Sequence, residues 1–207
     1  LATTTTTISL PQKCLACHAE LAVPIVCEGC HRLYPLPQSV DHFALLGLPR
    51  TFDVDAAALH RQFLAISKHV HPDYFGGADE AMRGLATRLS AQLNEAMRVL
   101  KDPLLRASYM LETTGGPNAA EDRNVPPDVL AEALTLREEI DEAREAGQSA
   151  EIDRIRDRID ARRDEYMAQI TALAGKLPQA AVDERVALRR ALNAVKYYQN
   201  LLDLLWA

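Results

Sequence analysis

Apolar residues fall at helical spacing over most of this chain. Leu59, Phe63, Ile66 and Val70 recur four, three and four positions apart. At about 100° per residue that spacing is a single stripe on one helix face. Asp55 stands where an N-cap belongs. Pro72 disfavours helical geometry in the residue before it, so the helix stops short of it. After Gly76-Gly77 a second pattern spans residues 79–100, carried by Leu85, Leu89, Leu93, Ala96 and Leu100. Two such helices joined by a loop bury their stripes against each other as an antiparallel hairpin. Asp41-His-Phe-Ala-Leu-Leu-Gly-Leu48 supplies a short helix upstream.

Thr113-Thr-Gly-Gly-Pro-Asn118 and Val125-Pro126-Pro127 then break the periodicity and mark a connector. Three more stripes follow. Val129, Ala133, Leu136, Ile140 and Ala143 form one. Ile152, Ile155, Ile159, Tyr166, Ile170, Leu173 and Leu177 form the next. Leu188, Leu192, Val195 and Leu202 form the last. Gly147 and Pro178 punctuate them. Amphipathic helices of this length cannot bury a stripe alone, so an antiparallel three-helix bundle is expected. No strand-like alternation of useful length and no internal repeat occurs. The fold class is therefore all-α.

Some apolar residues miss the stripes. Leu130 and Leu134 are rotated about 100° from the centre of theirs, and Tyr197 points away from the third. They are either boundary packing or a hydrophobic contact patch for a protein partner. Arg61 and Lys68 lie opposite the apolar face of their helix. That makes them either a solvated face or a docking surface for an acidic partner.

The 207 residues carry a net charge of −6, and most of the acidic excess falls after residue 113. No segment is basic enough to hold a phosphate backbone, which argues against nucleic acid as a partner. No apolar run approaches the roughly 18 residues of a membrane span. The Thr-rich start, Leu1-Ala-Thr-Thr-Thr-Thr-Thr-Ile8, has neither a secretory nor a transit-peptide pattern. It is expected to be a disordered lead-in over residues 1–13.

All four cysteines lie in residues 14–30, as Cys14-Leu-Ala-Cys17 and Cys27-Glu-Gly-Cys30 with nine residues between the pairs. Each pair can turn two thiolates onto one ion, and four thiolates satisfy tetrahedral zinc. One structural zinc per chain is the expectation, with disulfides or redox thiols as the alternative. His18 and His31 each follow a cysteine but are not needed as ligands. Such a closed shell has no open position for a substrate. Pro35 and Pro37 end this module, assigned to residues 14–37.

His71-Pro72-Asp73 falls at the tip of the predicted hairpin. Proline stiffens the turn, and a carboxylate on a stiff tip suits charge-assisted bonding to a partner arginine. The chain shows no Ser/His/Asp or Cys/His set with a plausible shared site and no Gly-rich phosphate loop. Asp41, His71 and Asp73 fit a hairpin better than an acid–base set. The expectation is a binding protein, not an enzyme.

This layout resembles the J-domain co-chaperones, and over residues 41–207 the HscB (Hsc20) family in particular. The resemblance rests on Asp41–Leu48, on Val70-His-Pro-Asp-Tyr-Phe75, on Asp102-Pro-Leu-Leu-Arg-Ala-Ser-Tyr-Met-Leu111, and on Leu134-Thr-Leu-Arg-Glu-Glu-Ile140. The cysteine knuckle is similar to that of the zinc-containing variant of the family. The resemblance implies a J-domain at 41–113, a linker at 114–126 and a scaffold-binding bundle at 127–207. It implies that His71, Pro72, Asp73, Arg61 and Lys68 engage a DnaK/HscA-type chaperone and stimulate its ATPase. It implies that Leu130, Leu134, Glu138, Lys196 and Tyr197 hold an IscU-type iron–sulfur scaffold protein. Ala131 stands where a bacterial relative has a larger apolar residue. The implied place of work is the bacterial cytoplasm, or the mitochondrial matrix for a eukaryotic counterpart. A general J-protein serving unfolded clients is the alternative. The sequence leaves open whether the zinc module only folds residues 14–37 or adds a docking or homodimer surface.

Overall fold

The computed structural model describes residues 12–21, 25–36 and 40–205. The expected lead-in lies, up to residue 11, outside the described residues, as does Pro37. Seven α-helices are present, and no named strand occurs among the described residues. None of these helices is long and apolar enough to cross a membrane. The chain divides into two compact units, Leu1–Pro103 and Leu104–Ala207.

In the first unit, α1 (His42–Leu45) and α2 (Ala56–Val70) both pack on α3 (Glu80–Lys101). Asp55 caps α2 as expected, its carboxylate accepting from the amides of Ala57 (2.8 Å) and Ala58 (3.2 Å). Asp79 does the same for α3 through the Met82 amide at 2.8 Å. The predicted stripes face inward: Leu59, Ile66 and Val70 meet Leu89, Leu93, Ala96 and Leu100 in the core. Phe63 and Leu85 sit at its partly covered edge. The loop between α2 and α3 is more ordered than the proline alone predicts, because residues Pro72–Phe75 form a 3₁₀ turn.

In the second unit, α5 (Pro127–Glu145), α6 (Ser149–Ala174) and α7 (Val182–Leu205) form the expected bundle. Val129, Ala133, Leu136, Ile140 and Ala143 are all buried, as is each residue of the third stripe. Leu177 is buried too, although it lies past the end of α6. Gly147 turns the chain between α5 and α6 at φ +65°, a conformation that costs other L-residues about 1–2 kcal/mol.

The helix α4 (Pro103–Thr113) is the main departure from the sequence reading, which groups residues 41–113 together. Residues from Leu104 onward cluster with the second unit. The reason is local: Arg189 of α7, only 5% exposed, donates to Ser108 Oγ at 3.0 Å and lies 3.6 Å from Glu112. The connector after α4 is also tied down. Arg185 donates to the carbonyls of Thr114 (2.7 Å) and Pro178 (2.8 Å). Asn193 donates to those of Asp122 (3.0 Å) and Asn124 (2.8 Å).

Candidate functional site

The two cysteine turns are built alike. In the first, the Cys14 amide donates to Ala19 O (2.8 Å) and the His18 amide to Cys14 O (2.9 Å). In the second, the Cys27 amide donates to Arg32 O (3.0 Å) and the His31 amide to Cys27 O (2.8 Å). His18 and His31 occupy the left-handed region, at φ 61° and 55°. Histidine is among the residues that tolerate it best after glycine. That backbone role accounts for a histidine after each pair without making either one a ligand.

The turns bring all four sulfurs within 4.8 Å of one another. Cys14–Cys30 and Cys17–Cys27 are each 3.5 Å apart, far longer than a disulfide, and all four cysteines are free. A tetrahedron of sulfurs about 2.3 Å from a central ion has edges of roughly 3.8 Å, so the set fits a metal. Amides of Ala16 (3.4 Å) and Cys17 (3.5 Å) point at Cys14 Sγ.

Tyr34, which the sequence reading missed, donates its hydroxyl to Cys14 Sγ at 3.0 Å and accepts from the Leu15 amide at 2.9 Å. That hydroxyl, with the Cys17 amide, pulls the Cys14 thiol down to about 5. The amide at Arg32 favours a Cys30 thiolate, but the neighbouring sulfurs, Cys14 foremost, push Cys30 up to about 12. Cys17 is likewise raised, by Cys27 and Cys14, against the help of an amide at Ala19. Four thiols this close cannot all ionise by themselves, and a cation at their centre removes the conflict. The clue to Tyr34 in the sequence was slight: it is the first aromatic residue of the chain.

The tip of the first unit is pre-organised. His71 ends α2 and caps the 3₁₀ turn, its Nδ1 accepting from the Asp73 amide at 3.3 Å. The neutral ring therefore carries its proton on Nε2. Asp73 Oδ2 lies 3.5 Å from Nδ1, and the carboxylate is exposed. Tyr74, 72% exposed, sets its ring edge-on to the imidazole at 6.3 Å. Arg61 and Lys68 are exposed on α2, and Arg61 lies 4.0 Å from the capping Asp55. Asp41 is not part of this group: Arg50 binds it at 2.7 Å.

On the bundle, Leu130 (46%) and Leu134 (60%) are exposed and lie with exposed Glu138 along one face of α5. Tyr197 and Lys196 are exposed on α7. A network missed from sequence holds the two helices together at this level. Glu132, between the two leucines, accepts from Tyr198 Oη (2.6 Å) and from Arg162 Nε of α6 (2.9 Å). Tyr198 stacks on Tyr166 at 5.9 Å, and the Arg162 guanidinium lies over that ring. Burial, then the Glu132 carboxylate, drives the Tyr198 phenol above its ordinary range.

A hairpin tipped by His-Pro-Asp, followed by a helical bundle with an exposed apolar stripe, defines a J-domain co-chaperone architecture. Comparison with known proteins agrees. Residues 125–205 match the family described as the HSCB C-terminal oligomerisation domain. A co-chaperone protein HscB homolog of Bordetella petrii is 41% identical over 148 residues, which is 70% of this chain and 86% of the relative. One from Vibrio cholerae is 37% identical over 164 residues, 78% of this chain and 92% of the relative. The crystal structure of human co-chaperone protein HscB superposes with a TM-score of 0.75 at 22% identity, covering 94% of this chain and 96% of the human one. Chaperone HscB from Vibrio cholerae gives 0.67 at 33% identity, covering 81% and 96%. The chain belongs to the HscB family of co-chaperones.

Proposed function

We propose that this co-chaperone serves iron–sulfur cluster assembly by coupling two partners. Arg61, Lys68 and the His71-Pro72-Asp73 tip dock on a DnaK/HscA-type chaperone and stimulate its ATPase. Leu130, Leu134, Glu138, Lys196 and Tyr197 hold an IscU-type scaffold protein, so that cargo arrives with the signal to hydrolyse ATP. Cys14, Cys17, Cys27 and Cys30 hold one structural zinc.

The observation that carries this reading is the tip. An imidazole, a rigid proline and an exposed carboxylate are held by a cap at the end of a basic-faced helix. A partner arginine meeting Asp73 there makes a charge-assisted hydrogen bond. A sulfur set with every coordination position filled supplies no catalysis, so the knuckle acts through structure.

ATP turnover by a DnaK-type chaperone tests the first half. Turnover rises when this protein is added, and His71→Gln abolishes the gain; equal stimulation by the variant would sink the reading. Titration with a scaffold protein tests the second half. Leu134→Ala with Tyr197→Ala loses binding, because truncating central apolar anchors typically costs about 2 kcal/mol or more each. A general J-protein for unfolded clients would stimulate the ATPase yet show no scaffold binding in that titration.

A further inference from the structure

The second cysteine turn reaches out of the knuckle to helix α2. His31 stacks its ring on that of His69, with centroids 5.8 Å apart and planes 27° apart. Glu28 Oε1 lies 3.9 Å from His69 Nε2. The His69 side chain is held at 17% exposure. Glu28 and His31 are not arbitrary neighbours of the knuckle. Glu28 lies between Cys27 and Cys30, and His31 follows directly, its amide bonded to Cys27 O at 2.8 Å. The two residues that touch His69 are therefore placed by the same turn that presents two of the four sulfurs.

His69 is the penultimate residue of α2, two positions before the imidazole that caps the tip. The last turn of a helix lacks backbone partners for its carbonyls, and this is where helices fray. A side-chain clasp has most leverage there. Ile66 and Val70 already anchor the inner face of this turn in the core, while His69 takes hold from the knuckle.

We propose that Glu28 and His31 clasp His69, so that metal binding in the knuckle braces the last turn of α2 and thereby positions the His71-Pro72-Asp73 tip. His69 is then a positioning residue for the tip, and the knuckle has a task beyond its own folding. The consequence for ATPase stimulation rests on the proposed function above; the brace itself does not.

Amide hydrogen exchange on the full chain tests it. The samples are the zinc-loaded protein, the same protein after chelation, and zinc-loaded His69→Ala and His69→Phe. The amides of residues 67–71 and 73 exchange about two- to tenfold faster after chelation and in His69→Ala, the factor that one aromatic stack supplies. His69→Phe keeps a ring for the stack on His31 but no nitrogen to face Glu28, so it recovers part of the protection that His69→Ala loses. Amides of α7 are unchanged throughout, and His69→Ala retains one zinc per chain by atomic absorption. Equal protection of residues 67–71 and 73 in wild type and His69→Ala overturns the brace. Loss of protection along all of α2 and α3 in His69→Ala overturns it as well, since that is unfolding of the unit. No chaperone enters the measurement. If the wild-type protein fails to stimulate any DnaK-type ATPase, the functional reading falls while the exchange rates still decide the brace.

Discussion

At the scale of single residues, the knuckle joins one acidic thiol to two reluctant ones. Cys14, at about 5, is already a thiolate at neutral pH, whereas Cys30, at about 12, is not. A metal must therefore displace protons from Cys30 and from the raised Cys17. Metal affinity should climb as pH rises through the neutral range and fall on acidification, and calorimetry in buffers of different ionisation enthalpy will count the protons released. Tyr34→Phe removes the hydroxyl donated to Cys14. Groups that support a ligand in this way are worth about 10- to 100-fold in affinity, so competition with a chelator should show a loss in that range. Wild-type affinity in the variant would mean the hydroxyl is idle. The clustering of Cys14, Cys17, Cys27 and Cys30 was legible because two CxxC pairs turn their sulfurs together, and the 3.5 Å separations set aside the disulfides that the spacing also allowed. Tyr34 was not legible, because its contact with Cys14 spans 20 positions and exists only once the segment has folded back.

At the scale of elements, periodicity read the helices well where each packs through one stripe. All five residues of the Val129–Ala143 stripe are buried as expected. Asp55 was legible as a cap for the same local reason. Asp55→Ala should cost about 1 kcal/mol of stability in a denaturant melt, the usual worth of an N-cap. The helix α4 was harder to separate, because Asp102-Pro103 is a brief interruption with no Gly-rich run beside it, and Pro103 serves as a helix start, where a missing amide costs nothing. The Glu132 network was illegible for a different reason, since its bonds join residues 30 and 66 positions apart. Hydrogen bonds to a charged group are worth about 1.5–3 kcal/mol each, less here because Glu132 is partly open to water. Glu132→Ala should therefore lower stability by about 2 kcal/mol. It should also weaken scaffold binding, since Leu130 and Leu134 flank it on α5. Unchanged titration with the scaffold would show that the network supports the bundle and not its outer face.

At the scale of the whole molecule, the two units divide the proposed work. His71→Gln in the first should remove ATPase stimulation and leave scaffold titration untouched. Leu134→Ala with Tyr197→Ala in the second should do the reverse for basal stimulation without cargo. A variant of either kind that lost both activities would show that the units do not act separately.

The connector after α4 bears on how the protein can be cut. Its Gly-Gly-Pro run has the composition of a spacer open to proteases, yet four hydrogen bonds from Arg185 and Asn193 fasten residues 114–124 and the turn at Pro178 to α7. Limited digestion should spare it. Fragments drawn at the compositional break, beginning at residue 114, would strip Arg189 of Ser108 and Glu112 and leave a buried guanidinium without those acceptors, at a cost of about 2 kcal/mol. A fragment beginning at residue 103 keeps them and should melt as one cooperative body. The seam in this protein lies just after the proline that opens α4, ten residues ahead of the point where the composition changes.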